Sequence, residues 1–299
     1  MDKNKTSKVT ILLMVIVASL MWGTSFLSIK IMLRWLEPIQ VLTARWTVAA
    51  IFFLILVLIG KLRIDVHKPE FKFLVLNAII EPCLYSVFET YAVDLTSAST
   101  SAIFIATIPC VVLLMQVVFF HRKAKPAVLF GILIAFAGVF VCTYFAPGFS
   151  LSGRAAGFVA LALTILTGAL YALTSPRAGA GYNSITVTAM MAFVGCLVFH
   201  IENIAMGNEA ATFTTLAAHP EALALTVYLG LGCSALCYFI FNRLMVVMDT
   251  AVANNIIANS VTAVGVISGV LLLGDPGGWY TAVGLVLTIA GVLLSSKDS

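Results

Sequence analysis

The feature that most constrains this chain is a succession of apolar runs, each about twenty residues long, divided by short charged or turn-rich breaks. A helix needs about 20 apolar residues to cross a bilayer. Breaks such as "RWLEP", "KLRIDVHKPEFK", "HRKAKP", "APGFSLSGR", "SPRAGAGYN" and "GDPGG" predict ten helices, over 9–33, 39–60, 71–93, 99–120, 126–145, 154–175, 185–206, 223–242, 251–272 and 278–295. Composition agrees, with 61% hydrophobic and 10% charged residues and a mean hydropathy of +1.08. A soluble domain carries about 25% charged residues, so this chain cannot build a water-facing surface. The expected class is an all-α polytopic membrane protein. The run from Val9 to Leu33 is too long for the apolar core of a cleavable signal and reads as the first span.

The basic residues are unevenly placed. With the N-terminus inside, the inner side collects Lys3, Lys5, Lys8, Lys61, Arg63, Lys68, Lys72, Arg122, Lys123, Lys125, Arg177, Arg243 and Lys297, and the outer side only Arg34 and Arg154. The positive-inside rule then predicts a plasma-membrane protein with both termini in the cytoplasm. Basic residues spread over short loops are no nucleic-acid surface, despite the net charge of +4. The cysteines Cys83, Cys110, Cys142, Cys196, Cys233 and Cys237 lie in apolar runs and read as small packing residues; no histidine joins them at ligand spacing.

The two halves echo each other. "GILIAFAGVFV" from Gly131 and "GLVLTIAGVLL" from Gly284 share spacing, and "YSVFE" from Tyr85 and "YFIFN" from Tyr238 lie 153 positions apart. Gly23 and Thr43-Ala44 have counterparts in Gly168 and Thr188-Ala189, offset by 145. Two repeats follow, over 9–145 and 154–295. Each has five spans, an odd number, so the second enters the membrane from the opposite side. Such inverted repeats characterise secondary transporters, whose substrate sites lie near the midplane between them.

Several stretches resemble a known family: "WGTSFLSIKIML", "EPIQVLTARW", "DLTSASTSAIFIATIPCVVLLMQVVFF", and in the second half "CSALCYFIFNRLMVVMDTAVANNIIANSVTAVGVISGVLLLGDPGGWYTAVGLVLTIAGVLL". They resemble the ten-helix EamA branch of the drug/metabolite transporter superfamily over nearly the whole chain. The resemblance implies two inverted five-helix repeats around a central cavity, alternating access, and small organic metabolites, such as amino acids and their derivatives, as exported substrates. Two features depart from the family pattern. The first repeat ends in "FFHRKAKP" where Gly-Glu is usual, and the third span carries Glu81 and Glu89.

Those carboxylates stand in "NAIIEPCLYSVFET". A charge near the middle of a span costs about 2.5–3.5 kcal/mol on insertion scales, which makes it a functional candidate. Helical spacing puts Glu81, Tyr85 and Glu89 on one broad face, and Pro82 should free the carbonyl near Ala78 for a ligand. Lys30 and Arg45 balance the two acids. Either cation could pair with Glu89 as a structural ion pair, or Lys30 could extend to the interface. Glu81 has no sequence-local partner and reads either as a proton carrier or as an anchor for a substrate ammonium. Trp22 and Tyr238 are candidate aromatic lining. Asn242, Asn255 and Asn259 offer both donors and acceptors, either to a ligand or as glue between helices. His200 and Glu202 read as interfacial.

The expected function is a secondary transporter, an exporter by alternating access with proton coupling as one drive. It works as a monomer or homodimer, without cofactor or catalytic residue. No phosphate-binding glycine loop, His-Glu-x-x-His or Gly-x-Ser-x-Gly motif occurs, which counts against ATP drive and against the alternative of an intramembrane enzyme. A passive channel or facilitator is the other alternative.

Overall fold

The apolar runs form helices because lipid offers backbone amides no partner, and a helix satisfies them within itself. In the computed structural model, which describes residues 7–121, 125–147, 155–248 and 250–296, nine helices are long and apolar enough to cross a membrane. They are Lys8–Met32, Pro38–Leu58, Phe71–Leu95, Ala98–Phe119, Pro126–Tyr144, Ala155–Gly181, Ser184–Ala205, Pro220–Val247 and Asn255–Leu273. A tenth apolar helix covers Trp279–Ser296. These are the first to tenth spans below. Among the basic residues placed by loop, Lys3, Lys5, Arg122, Lys123, Arg154 and Lys297 lie outside the described residues.

Four spans are less regular than the sequence reading, the ninth because it ends in a π-type segment at Gly269–Leu273. The third widens into a π-type segment at Ile79–Leu84, where Glu81 is extended (φ −132°, ψ 111°). The Glu81–Pro82 peptide bond is cis. The carbonyl of Ala78 is not left open to a ligand: the Cys83 thiol lies 3.5 Å from it. The fourth span is two helices, Ala98–Ile105 and Ile108–Phe120, the second with Pro109 in its first turn, where a missing amide does no harm. The eighth begins at Pro220 and includes a π-type stretch, Tyr228–Cys237. Between spans seven and eight, where a loop was expected, lies a further helix, Glu209–Ala218.

Contacts sort the connections to two ends. At one end the Tyr182 hydroxyl donates to the Asp65 carbonyl at 2.5 Å and Lys68 donates to the Gly181 carbonyl at 2.8 Å. At the other, Asn208 donates to Glu37 at 3.1 Å, and the amide and hydroxyl of Ser99 donate to Asp275 at 2.9 and 2.8 Å. Consecutive connections therefore alternate ends, as crossing helices require.

The fifth and tenth spans form the closest helix pair. A Cβ on Gly131 would lie 2.5 Å from the Ser295 amide nitrogen, and one on Gly291 would lie 2.3 Å from that of Ala135. Small residues permit this approach, and dispersion holds the pair where lipid removes the hydrophobic drive. Spans one to four and six to nine are left to surround the middle of the bundle.

Candidate functional site

The middle holds a cavity of about 120 Å³, more than a single water needs. It brings together six of the residues singled out in the sequence: Trp22, Arg45, Glu81, Tyr85, Glu89 and Tyr238. Ser25, Phe26, Ile105, Ile108, Gly168, Tyr171, Phe241 and Val261 complete much of the wall.

The extended backbone at Glu81 ends one helical piece, and the helix Tyr85–Leu95 restarts beyond it. The Tyr85 hydroxyl donates to Glu89 Oε1 at 3.2 Å, one turn on. Glu81 Oε1 accepts from Ser86 at 3.3 Å and from the Tyr238 hydroxyl. Its other oxygen, Oε2, is buried with no partner. The local partner missing from the sequence reading is thus Ser86, and Tyr238 is the distant one.

Arg45 stands opposite on the second span, 2% exposed. Its Nε donates to Ser234 at 2.5 Å, and its guanidinium lies 5.6 Å from the Trp46 ring centroid. Its Nη1 has no partner. Among the described residues no ion pair joins Arg45 or Lys30 to Glu81 or Glu89, so the structural ion pair does not form. A buried charge without a partner is expensive. Two residues of the cavity lining therefore each keep a buried polar atom without a partner, one on the guanidinium and one on the carboxylate.

Aromatic rings fix the wall. Trp22 meets Tyr238 edge-on at 5.0 Å and Phe241 at 5.4 Å, and its indole donates to the Cys233 carbonyl at 3.1 Å. Trp46, fully buried, packs beside Tyr238 at 5.9 Å. Edge-to-face pairs of this kind contribute about 0.5–1.5 kcal/mol beyond the area they bury, and with Trp46 they pack the first, second and eighth spans together on this side of the cavity.

Four expected site residues lie elsewhere. Asn255 and Asn259 turn from the cavity: Asn259 donates to the Asn255 side chain at 2.5 Å, and Asn255 donates to the Val292 carbonyl of the tenth span at 3.4 Å. The ninth span presents Ile257, Ala258 and Val261 to the cavity instead. Asn242 sits one layer below the cavity, accepting from Tyr171 at 3.1 Å and donating to Thr188 at 3.0 Å. The Lys30 ammonium donates to the carbonyls of Val93, Asp94 and Thr96 at 2.8, 2.8 and 3.3 Å. His200 is bound to Glu209 at 2.6 Å and Thr47 at 2.8 Å, far from the cavity in the chain's layering.

Sequence spacing puts Ser234 on one polar face with Tyr238 and Asn242 but does not point to Phe26; the offset between the halves relates both to residues of the cavity wall. Ser234 stands 153 positions after Glu81, and Phe26 stands 145 before Tyr171. The same offsets relate wall contacts: Gly23 abuts Val261 and Val264, while Gly168 abuts Ile108, 153 positions before Val261.

Comparison with known proteins decides the family. The EamA-like transporter family matches residues 9–144 and again 155–297. The chain belongs to that family. It is thus a membrane transporter of the drug/metabolite transporter superfamily. It is similar to an uncharacterized transporter of Archaeoglobus fulgidus, 27% identical over 286 residues that cover 95% of this chain and 96% of the relative. Another relative is the uncharacterized transporter YcxC of Bacillus subtilis, 23% identical, with 94% of this chain and 91% of the relative covered. Protein PagO of Salmonella typhimurium is 24% identical over 78% of this chain and 76% of its own. One crystal structure superposes with a TM-score of 0.68, covering 98% of this chain and all of its own at 16% identity, which establishes a shared fold.

Proposed function

We propose that this EamA-like protein is a secondary transporter that exports a small zwitterionic metabolite of the amino-acid class by alternating access. The observation that carries the reading is the pair of unsatisfied groups on two residues that line one central cavity, Arg45 Nη1 and Glu81 Oε2. A substrate carboxylate suits the guanidinium, which offers a forked set of donors. A substrate ammonium suits Glu81. The aromatic wall of Trp22, Tyr85, Tyr171 and Tyr238 takes the apolar part, and the small volume limits its size.

The transport mode rests on the two family-matched stretches as inverted repeats. Their five-span lengths and their equivalent wall contacts support that relation. The excess of lysine and arginine on the Tyr182 end supports the reading that this end, and both termini, face the cytoplasm, with the plasma membrane as the proposed location. Proton and ammonium compete for the same Glu81 oxygen, which gives a route to proton coupling. The protein is reconstituted in liposomes and given a panel of amino acids and related amines, in both directions, with and without a pH gradient. Saturable counterflow of at least one zwitterion is expected, without ATP. Flux that never saturates and shows no counterflow would make it a channel, and no protein-dependent flux would defeat the proposal.

A further inference from the structure

Lys30 is the one charged residue among the candidates that the cavity does not use. Its three ammonium protons are all spent on carbonyls at the end of the third span, Val93, Asp94 and Thr96. The last carbonyls of a helix have no partner within it, and a cation there also meets the favourable end of the helix dipole. Its place matters more than its bonds. Lys30 lies one turn beyond Phe26 on the first span, and Val93 lies one turn beyond Glu89 on the third. Phe26 and Glu89 both line the cavity. The clasp therefore ties spans one and three together one turn beyond the cavity lining.

The second half has the equivalent place at the opposite end and leaves it open. By the offsets of 145 and 153, Lys30 corresponds to Ser175 and Val93 to Val246. Ser175 and Val246 line a second pocket, of about 360 Å³, together with Tyr182, Asn242 and Met245. A serine is too short to span the gap that Lys30 bridges. This pocket and the central cavity meet at one partition. Tyr171 lines the cavity, Asn242 lines the pocket, and the tyrosine hydroxyl donates to the asparagine at 3.1 Å. Pro176 interrupts the sixth span one turn beyond Ala172, freeing that carbonyl from its usual bond and giving the segment below a place to bend.

We propose that Lys30 is the latch on one end of the transport path, and that the unlatched pocket at Ser175 is the mouth of the other. Lys30 is then a positioning residue that sets which end is closed at rest; it does not hold substrate. The inference rests on the transporter reading and on the inverted relation of the halves.

The test reads access to the cavity and not flux. Ser25→Cys places a thiol on the cavity wall, and a membrane-impermeant maleimide is applied to sealed vesicles of each orientation. The modified peptide is identified by mass, so the six native cysteines stay. Adding Lys30→Ser is expected to raise the labelling rate from the Lys30 end at least tenfold. Ser175→Lys is expected to lower labelling from the Tyr182 end by a similar factor. Unchanged rates in a Lys30→Ser protein that elutes as a single folded species would overturn the latch. Should that variant not fold, Ser175→Lys decides alone, and unchanged labelling there overturns it equally. Normal counterflow with unchanged labelling condemns the latch alone. Altered labelling with no counterflow of any solute supports the latch and condemns the substrate reading.

Discussion

Arg45 shows how much of this site depends on single contacts. Its Nε bond to Ser234 is short and buried, and Ser234 is itself fully buried. Removing that hydroxyl leaves a charged donor unpaired in a dry place, and hydrogen bonds to charged groups contribute about 1.5–3 kcal/mol. Ser234→Ala is expected to destabilise the purified protein in detergent by about that amount, seen as a lower thermal midpoint, and saturating substrate should restore part of the loss. An unchanged midpoint would mean that water satisfies Arg45. Across the cavity, Glu81→Gln keeps the shape but discards the charge. Binding and flux should fall at least tenfold, while Glu202→Gln, outside the cavity, stays near the parent. Equal activity of the two variants would remove Glu81 from the site. The two acids and Arg45 were legible in the sequence because charge inside an apolar run is conspicuous. Ser234 was legible only as part of a polar face with Tyr238 and Asn242, since spacing along one helix does not say which partner that face meets.

At the scale of elements, the fifth and tenth spans make a sharp case. A methyl on Gly291 would meet the backbone of Ala135 and Gly131 at 2.3 and 2.6 Å, and backbone cannot turn aside as a side chain can. Gly291→Ala is expected to cost about 1–3 kcal/mol by overpacking, or to push the two helices apart. Gly179→Ala, with open space around its would-be Cβ, should instead stabilise its helix by about 0.5–1 kcal/mol. Thermal unfolding of the two variants side by side checks the contrast; similar midpoints would refute the packing account. The glycine pattern was readable because close approach needs small residues at fixed spacing. The asparagine face of the ninth span was readable as a face, but not which neighbour it met. Periodicity gives the angle between side chains on one helix, whereas the choice between cavity and tenth span depends on how that helix is rotated in the bundle. The helix Glu209–Ala218 was missed for another reason: ten residues of mixed polarity fall below the length of a span and carry no turn signal to separate them from a loop.

The whole molecule is an asymmetric filling of a nearly symmetric frame. Equivalent positions hold Glu81 and Ser234, Glu89 and Asn242, Lys30 and Ser175. The frame supplies two ends that can open, and the first half supplies the four charges invoked here, Lys30, Arg45, Glu81 and Glu89. A transporter so built can use a proton if proton and substrate exclude each other at Glu81. An exporter would bind substrate on the ionised carboxylate from the cytoplasmic end, and a proton entering from an acidic outer side would displace it there. The empty carrier then returns protonated and releases the proton inside. In inside-out vesicles, whose lumen is the outer side, an acidic lumen should therefore drive substrate inward. With the membrane potential collapsed and one proton exchanged per substrate, each pH unit supplies about 1.36 kcal/mol, enough for about tenfold accumulation. Glu81→Gln should abolish the dependence on the gradient. Accumulation that ignores the gradient while counterflow persists would leave the protein an exchanger driven by substrate alone, with Glu81 serving only to hold the ammonium.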